Sequence, residues 1–196
     1  MIYQFKDFIP VIDSTAFVHP KAVVTGNVEI GKDAYIGPGA ALRGDFGRII
    51  IEDGCNVQEN CVLHCFPGAQ VVLHKNAHIG HGAIIHGSTI GVNCLIGMNA
   101  VVMDNVVLGE ECIVGALSFI KQGARFERRS LIVGNPAQKI KEVSDEMIKW
   151  KSNGTAVYQQ LARDMHAHWK EVQPLTEKAA HKDQATTYKP WEGNRK

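Results

Sequence analysis

The sequence predicts an all-β solenoid of six-residue repeats that ends in an α-helix. Two observations carry this. Aliphatic residues recur every sixth position through most of the chain, and a capped amphipathic segment follows them. The first run is Val18, Val24, Ile30, Ile36 and Leu42, the next Ile51, Val57 and Leu63, then Leu73, Ile79 and Ile85. The last is Ile90, Ile96, Val102, Leu108, Val114 and Ile120, with glycine directly after several of these, as at Gly80, Gly97 and Gly115. An amphipathic helix needs steps of three and four and a hairpin sheet needs simple alternation, so neither accounts for a strict hexad.

The fourth place after each aliphatic takes a small side chain: Ala34, Ala40, Cys55, Cys61, Ala77, Ala83, Cys94, Ala100, Cys112 and Ser118. These four cysteines are therefore expected as small buried thiols. Cys65 stands outside the register. With five cysteines and no CxxC pair, neither a disulfide framework nor a four-cysteine zinc site is indicated. This pattern resembles the left-handed parallel β-helix proteins of the hexapeptide-repeat family over residues 11–137. The resemblance implies triangular coils of three hexads, each strand pairing with the coils above and below, and a homotrimer joined through flat walls.

After the repeats, LIVGNPAQKI reads as a turn-rich exit. Ser144 followed by Asp145 and Glu146 reads as an N-cap with acids in the first turn, so a helix is expected over 144–170. Gly154 is expected to interrupt it, and Val157, Leu161 and Met165 to lie against the β-helix. Residues 173–196, polar and basic with Pro174 and Pro190, are expected to be loosely ordered.

The formal charge of +1 in 196 residues offers no general attraction for nucleic acid or an anionic membrane. No stretch approaches the roughly eighteen apolar residues of a membrane span. MIYQFKDF has none of the features of a signal peptide, so a cytoplasmic location is the default expectation. Function must therefore be sought in a local site.

The hexads are lengthened twice, by three residues between Leu42 and Ile51 and by four between Leu63 and Leu73, and both insertions are expected to project as loops. The first carries Arg43, Asp45 and Arg48, and the second begins at His64. From Leu63 to Ile85 is one coil, which stacks His64 and His86 on one face. His81 lies one hexad earlier than His86, on a face turned by about a third of a revolution. One chain cannot readily gather all three, whereas a trimer can set His81 of one subunit opposite His64 and His86 of the next. Three imidazoles and a water form a catalytic zinc arrangement, in which iron or cobalt is also admissible. His74, His78, His166 and His168 have no such support.

The spacing further resembles the γ-class carbonic anhydrases and their relatives. Its elements are Arg43-x-Asp45, Asn56-x-Gln58, His64 six residues after Gln58, and the pair His81 and His86 five apart. The resemblance implies His64, His81 and His86 as zinc ligands, Asn56 and Gln58 as orienting groups, and an Arg43–Asp45 pair bridging subunits. Tyr158 resembles a tyrosine that approaches the metal from the terminal helix. The efficient anhydrases of this class carry acids where this chain has Phe46 and the acid-free CFPGAQ, which argues against rapid proton export and fast carbon dioxide hydration. The stretches RGDFGRI, HIGHGAIIHG and LIVGNPA resemble the PaaY-type branch of phenylacetate- and carnitine-operon proteins. That branch implies hydrolysis of acyl-coenzyme A thioesters by a zinc-bound hydroxide. The alternatives are a slow or redox-gated carbonic anhydrase, an acyltransferase using one histidine, and a trimeric scaffold whose structural metal takes Cys65 as a fourth ligand.

Overall fold

The structure, a computed structural model, describes residues 1–177, so the expected loose order of 173–196 falls largely outside the described residues. The chain winds into a parallel β-solenoid of about seven turns, with a single helix after it among the described residues. Each turn crosses three walls. The first wall contains Val62–His64, Ile84–His86, Val101–Val102 and Phe119–Ile120; the second Gln70–Leu73, Thr89–Ile90, Val107–Leu108 and Arg125–Phe126. The third runs from Phe17–Val18 through Tyr35–Ile36, Asn56–Val57, His78–Ile79, Leu95–Ile96 and Ile113–Val114 to Ser130–Gly134.

In-register pairing places like residues over like. Leu63 lies opposite Ile85, and Ile85 opposite Val102, with all three fully buried. Each such aliphatic removed from water contributes about 1.5–3 kcal/mol, and the unbroken column is the core. Cys55, Cys61, Cys94 and Cys112 line the corners of this column as buried free thiols. Chain reversal at the corners uses left-handed backbone at Asn60, Asn76, Asn93, Asn99 and Asn105, a region asparagine tolerates. At Gly80 the coils approach so closely that a Cβ would sit 2.8 Å from the Ile96 carbonyl oxygen.

Two expectations about irregular segments are corrected. The first insertion is not a loop: Ala41–Ile51 is one long strand that bends from the first wall to the second beside Val23–Ile30. Pairing with Val23–Ile30 runs through Arg43 and Gly44 and resumes at Ile49 after a register shift that absorbs the extra residues. The exit segment is an antiparallel hairpin of Ser130–Gly134 and Ala137–Glu142. Only the second insertion, 65–69, leaves the sheet.

The helix α1 spans Asp145–His168, and Ser144 caps it by accepting from the Met147 amide at 3.3 Å. It passes through Gly154 without a break, which corrects the expected interruption. Its docking face is also displaced from the expected one. Lys151, Gly154, Thr155 and Ala162 are buried, while Val157 is exposed. Polar anchors account for the shift, because Lys151 Nζ donates to Asn93 Oδ1 at 2.7 Å and Gln159 Nε2 to the Gly54 carbonyl at 3.1 Å. Tyr158, Leu161 and Met165 then pack beside Phe17 and Tyr35.

Candidate active site

His64 and His86 end adjacent strands of the first wall and face each other in register. Leu63 and Ile85 turn inward, so the alternation of the strand sends both imidazoles outward. His64 Nδ1 lies 3.2 Å from His86 Nε2. His86 Nδ1 is 2.6 Å from Asp104 Oδ1, while His64 Nε2 is 2.9 Å from Asp45 Oδ1. Arg43 reaches the same His64 nitrogen at 2.9 Å, and its Nε is 3.6 Å from Asp45 Oδ2. The Arg43–Asp45 contact thus forms inside one chain, as a brace on His64. Phe46 and Phe66 pack on the rings of His64 and His86.

His81 stands at the corner between the third and first walls, with Gly80 and Gly82 on either side. Its Nδ1 is 2.5 Å from Glu59 Oε2, and Glu59 Oε1 accepts from the Tyr35 hydroxyl at 3.0 Å. Burial and the neighbouring Glu59 raise the Tyr35 phenol above its usual range.

Asn56 and Gln58 belong to this second group. Gln58 Nε2 donates to Asn56 Oδ1 at 2.9 Å and to His78 Nε2 at 2.6 Å. Both amide protons are therefore committed, leaving Gln58 Oε1 as the acceptor available to a ligand. His78 carries its proton on Nδ1, which lies 3.3 Å from Thr155 Oγ1 on α1. Burial, reinforced by Lys151 and His81, depresses His78 to about 3, in keeping with a neutral ring. The ring of Tyr158 stands edge-on to His78 at 5.2 Å. Gln58, His78, His81 and Tyr158 together form one end of a cavity beneath α1.

The structure thus sorts the expected residues into a pair, His64 and His86 with Arg43 and Asp45, and a separate group of His81 with Asn56, Gln58 and Tyr158. Sequence reasoning missed His78, Glu59 and Asp104. The repeat itself held the signal for two of them. Glu59 and His81 each stand two places after an aliphatic, Val57 and Ile79, that pair in adjacent coils, and Asp104 follows His86 by eighteen residues, the length of three hexads. Cys65 is not placed as a ligand, being fully buried in the core with its Sγ 3.5 Å from the Ala69 carbonyl oxygen.

Among the described residues, no three His, Cys, Asp or Glu side chains of one chain are grouped to hold a metal. The pair nonetheless suits one. Two nitrogens bound tetrahedrally at zinc distances stand about 3.3 Å apart, against the 3.2 Å between His64 and His86. Carboxylates on ligating imidazoles are also the usual supporting partners of such sites.

A parallel solenoid with hexad coils and a histidine-bearing edge defines a hexapeptide-repeat protein, and the chain belongs to that family. The family model described as bacterial transferase hexapeptide (six repeats) matches residues 10–44 and 87–122. Within the family, the chain is 49% identical over 173 residues to the carnitine operon protein CaiE of Escherichia coli (strain K12), covering 88% of each chain. It is 47% identical to the CaiE of Salmonella agona (strain SL483), covering 89% of this chain and 88% of the relative. Among solved structures, a candidate acetyltransferase of Bacillus cereus superposes with a TM-score of 0.83 at 32% identity, covering 85% of this chain and 96% of that one. A hexapeptide transferase family protein from Anaplasma phagocytophilum gives 0.80 at 34% identity, covering 83% and 96%.

Proposed function

We propose that the protein is a metal-dependent hydrolase of acyl-coenzyme A thioesters whose site is completed between subunits of a homotrimer. The observation that carries this reading is the division of three carboxylate-braced histidines between two edges of one solenoid, a pair on one and a single residue on the other. Trimer formation is supported by the outward ladder of the first wall, where Ala41, Val62, Ile84, Val101 and Phe119 stack in register. An apolar stripe of this kind on a rigid wall is suited to burial against an identical subunit.

His64 and His86 of one subunit and His81 of a neighbour would hold the metal, zinc or alternatively iron or cobalt. When bound, it would supply a Lewis acid and lower the pKa of a water to about 7. The chain's own groups set the rest. Asp45 and Asp104 fix the planes of His64 and His86. Asn56 and His78 hold the amide of Gln58 so that Oε1 accepts a hydrogen bond from the attacking water and aligns its lone pair with the carbonyl carbon. Addition of that oxygen and loss of the C–S bond release a carboxylic acid, and the water's second proton goes to the departing thiol. A thiolate leaves readily, so a site with few free acids suffices. Asp45, Glu59 and Asp104 are each engaged by a histidine, and Phe46 stands beside His64, which disfavours the rapid proton export that carbon dioxide hydration needs. The motif resemblance to PaaY-type proteins directs the assay first to phenylacetyl-type thioesters.

The second reading is an acyltransferase, favoured by the similarity to the Bacillus cereus candidate acetyltransferase. The two diverge in one measurement, since a transferase releases thiol from acyl-coenzyme A faster when an amine or alcohol acceptor is added. The hydrolase reading is tested by mixing. His81→Ala and His86→Ala homomers should each be inactive with metal supplied, and subunits exchanged between them should regain activity at roughly a quarter of their sites. Full activity in either homomer, or no recovery in demonstrably mixed trimers, would remove the shared site.

A further inference from the structure

Beneath α1 lies a cavity of ≈ 440 Å³ whose polar end is formed by Gln58, His78, His81 and Tyr158. Away from that end its walls are apolar: Leu95 and Ile113 rise from the solenoid, and Met147 and Trp150 descend from α1. No Asp, Glu, Lys or Arg lines it among the described residues. Space has been left deliberately in the roof. Trp150, Gly154 and Tyr158 follow one another at intervals of four and share a stripe of the helix, so the missing side chain at Gly154 opens the roof between two aromatic rings. Glycine is the poorest helix former after proline, and its place inside an unbroken helix is explained by the need for that space. Met98 and Val157, both exposed, also line the cavity.

We propose that this chamber is the acyl-binding pocket, holding an apolar acyl group several carbons longer than acetyl with its thioester carbonyl at Gln58. The inference rests on the hydrolase reading for the identity of the occupant. Three features select that occupant. The volume falls within the range of small-molecule pockets and far exceeds what an acetyl group fills. The wall chemistry of thioether, indole and aliphatic groups favours an uncharged hydrocarbon. The polar end places an acceptor, Gln58 Oε1, where a nucleophilic water is required, so a chain inserted into the chamber brings its carbonyl to the reacting position.

The test separates binding from turnover. Titration calorimetry with S-ethyl- and S-hexyl-coenzyme A, thioethers that cannot be hydrolysed, reads the pocket, and hydrolysis of acetyl-, butyryl- and hexanoyl-coenzyme A reads the reaction. The hexyl analogue should bind about tenfold or more tightly than the ethyl one. Val157→Trp and Met98→Trp, with circular dichroism confirming the fold, should erase that preference, with the loss falling mainly on the hexyl analogue. Length-dependent binding without hydrolysis of any thioester would retain the pocket and reject the hydrolase reading. Affinity independent of chain length, or variants that weaken both analogues equally, would overturn the pocket even if hydrolysis is observed.

Discussion

Asp104 is the most enclosed of the three carboxylates that brace the histidines, 6% exposed and 2.6 Å from His86 Nδ1. It fixes which nitrogen of His86 faces His64, so Asp104→Ala should weaken metal binding by about 10–100-fold without abolishing it. Competition against a chromophoric chelator measures this, and an unchanged affinity would mean that His86 is not a ligand. His78 gives a different signature. Its depression to about 3 from 6.5 is due first to burial, then to the neighbouring Lys151 and His81. Above 6.5 neither folded nor unfolded His78 is charged, whereas between 6.5 and about 3 the unfolded chain takes up a proton that the native state refuses. Stability should therefore fall as pH drops through that window. In metal-free protein, urea midpoints measured from about pH 7.5 to about pH 5 should fall less steeply for His78→Gln than for the unsubstituted chain. Parallel slopes would show that His78 titrates normally.

At the level of the element, α1 is where sequence and structure differ most. The hexad wall was legible because its period is unlike that of any helix or hairpin. The N-cap at Ser144 was legible from its own residue type and the acids after it. The docking face was not. A four-residue aliphatic step selected Val157, but the helix is fixed by Lys151 and Gln159 reaching backbone and asparagine oxygens at solenoid corners, and polar anchors leave no periodic trace. Gly154 misled for a related reason, since propensity disfavours glycine in a helix while tertiary packing decides its place. Lys151 makes the anchoring measurable. Burial lowers it from 10.5 to about 7, an effect that Cys94 and Cys55 partly oppose. Between about 7 and 10.5 the unfolded chain keeps a proton that the native chain has released, so stability should rise with pH across this range. Lys151→Met should flatten that rise in urea titrations, and an unchanged slope would mean that the ammonium remains charged in place.

For the whole molecule, the separation of His81 from His64 and His86 was legible by counting hexads, because a solenoid converts sequence distance into rotation about one axis. The pairing of His64 with His86 followed from the same count and is reproduced strand against strand. The carboxylate partners obey this count as well, Asp104 standing three hexads after His86 and Glu59 standing in the same place after Val57 as His81 after Ile79. What counting cannot supply is the neighbour that brings His81 to the pair. The apolar ladder of the first wall provides the means to test it. Ile84 lies between Val62 and Val101 on that ladder, outward-facing and exposed, so its substitution leaves the inward column untouched. Ile84→Lys would place like charges at every copy of the proposed interface, where an unpaired buried charge costs several kcal/mol. Sedimentation at micromolar concentration should then show monomers whose circular dichroism still reports the solenoid. Those monomers should lose tight metal binding because two imidazoles replace three, although no ligand has been changed. A monomer that retains stoichiometric metal would place the complete site within one chain, and a trimer that persists would move the interface to another wall.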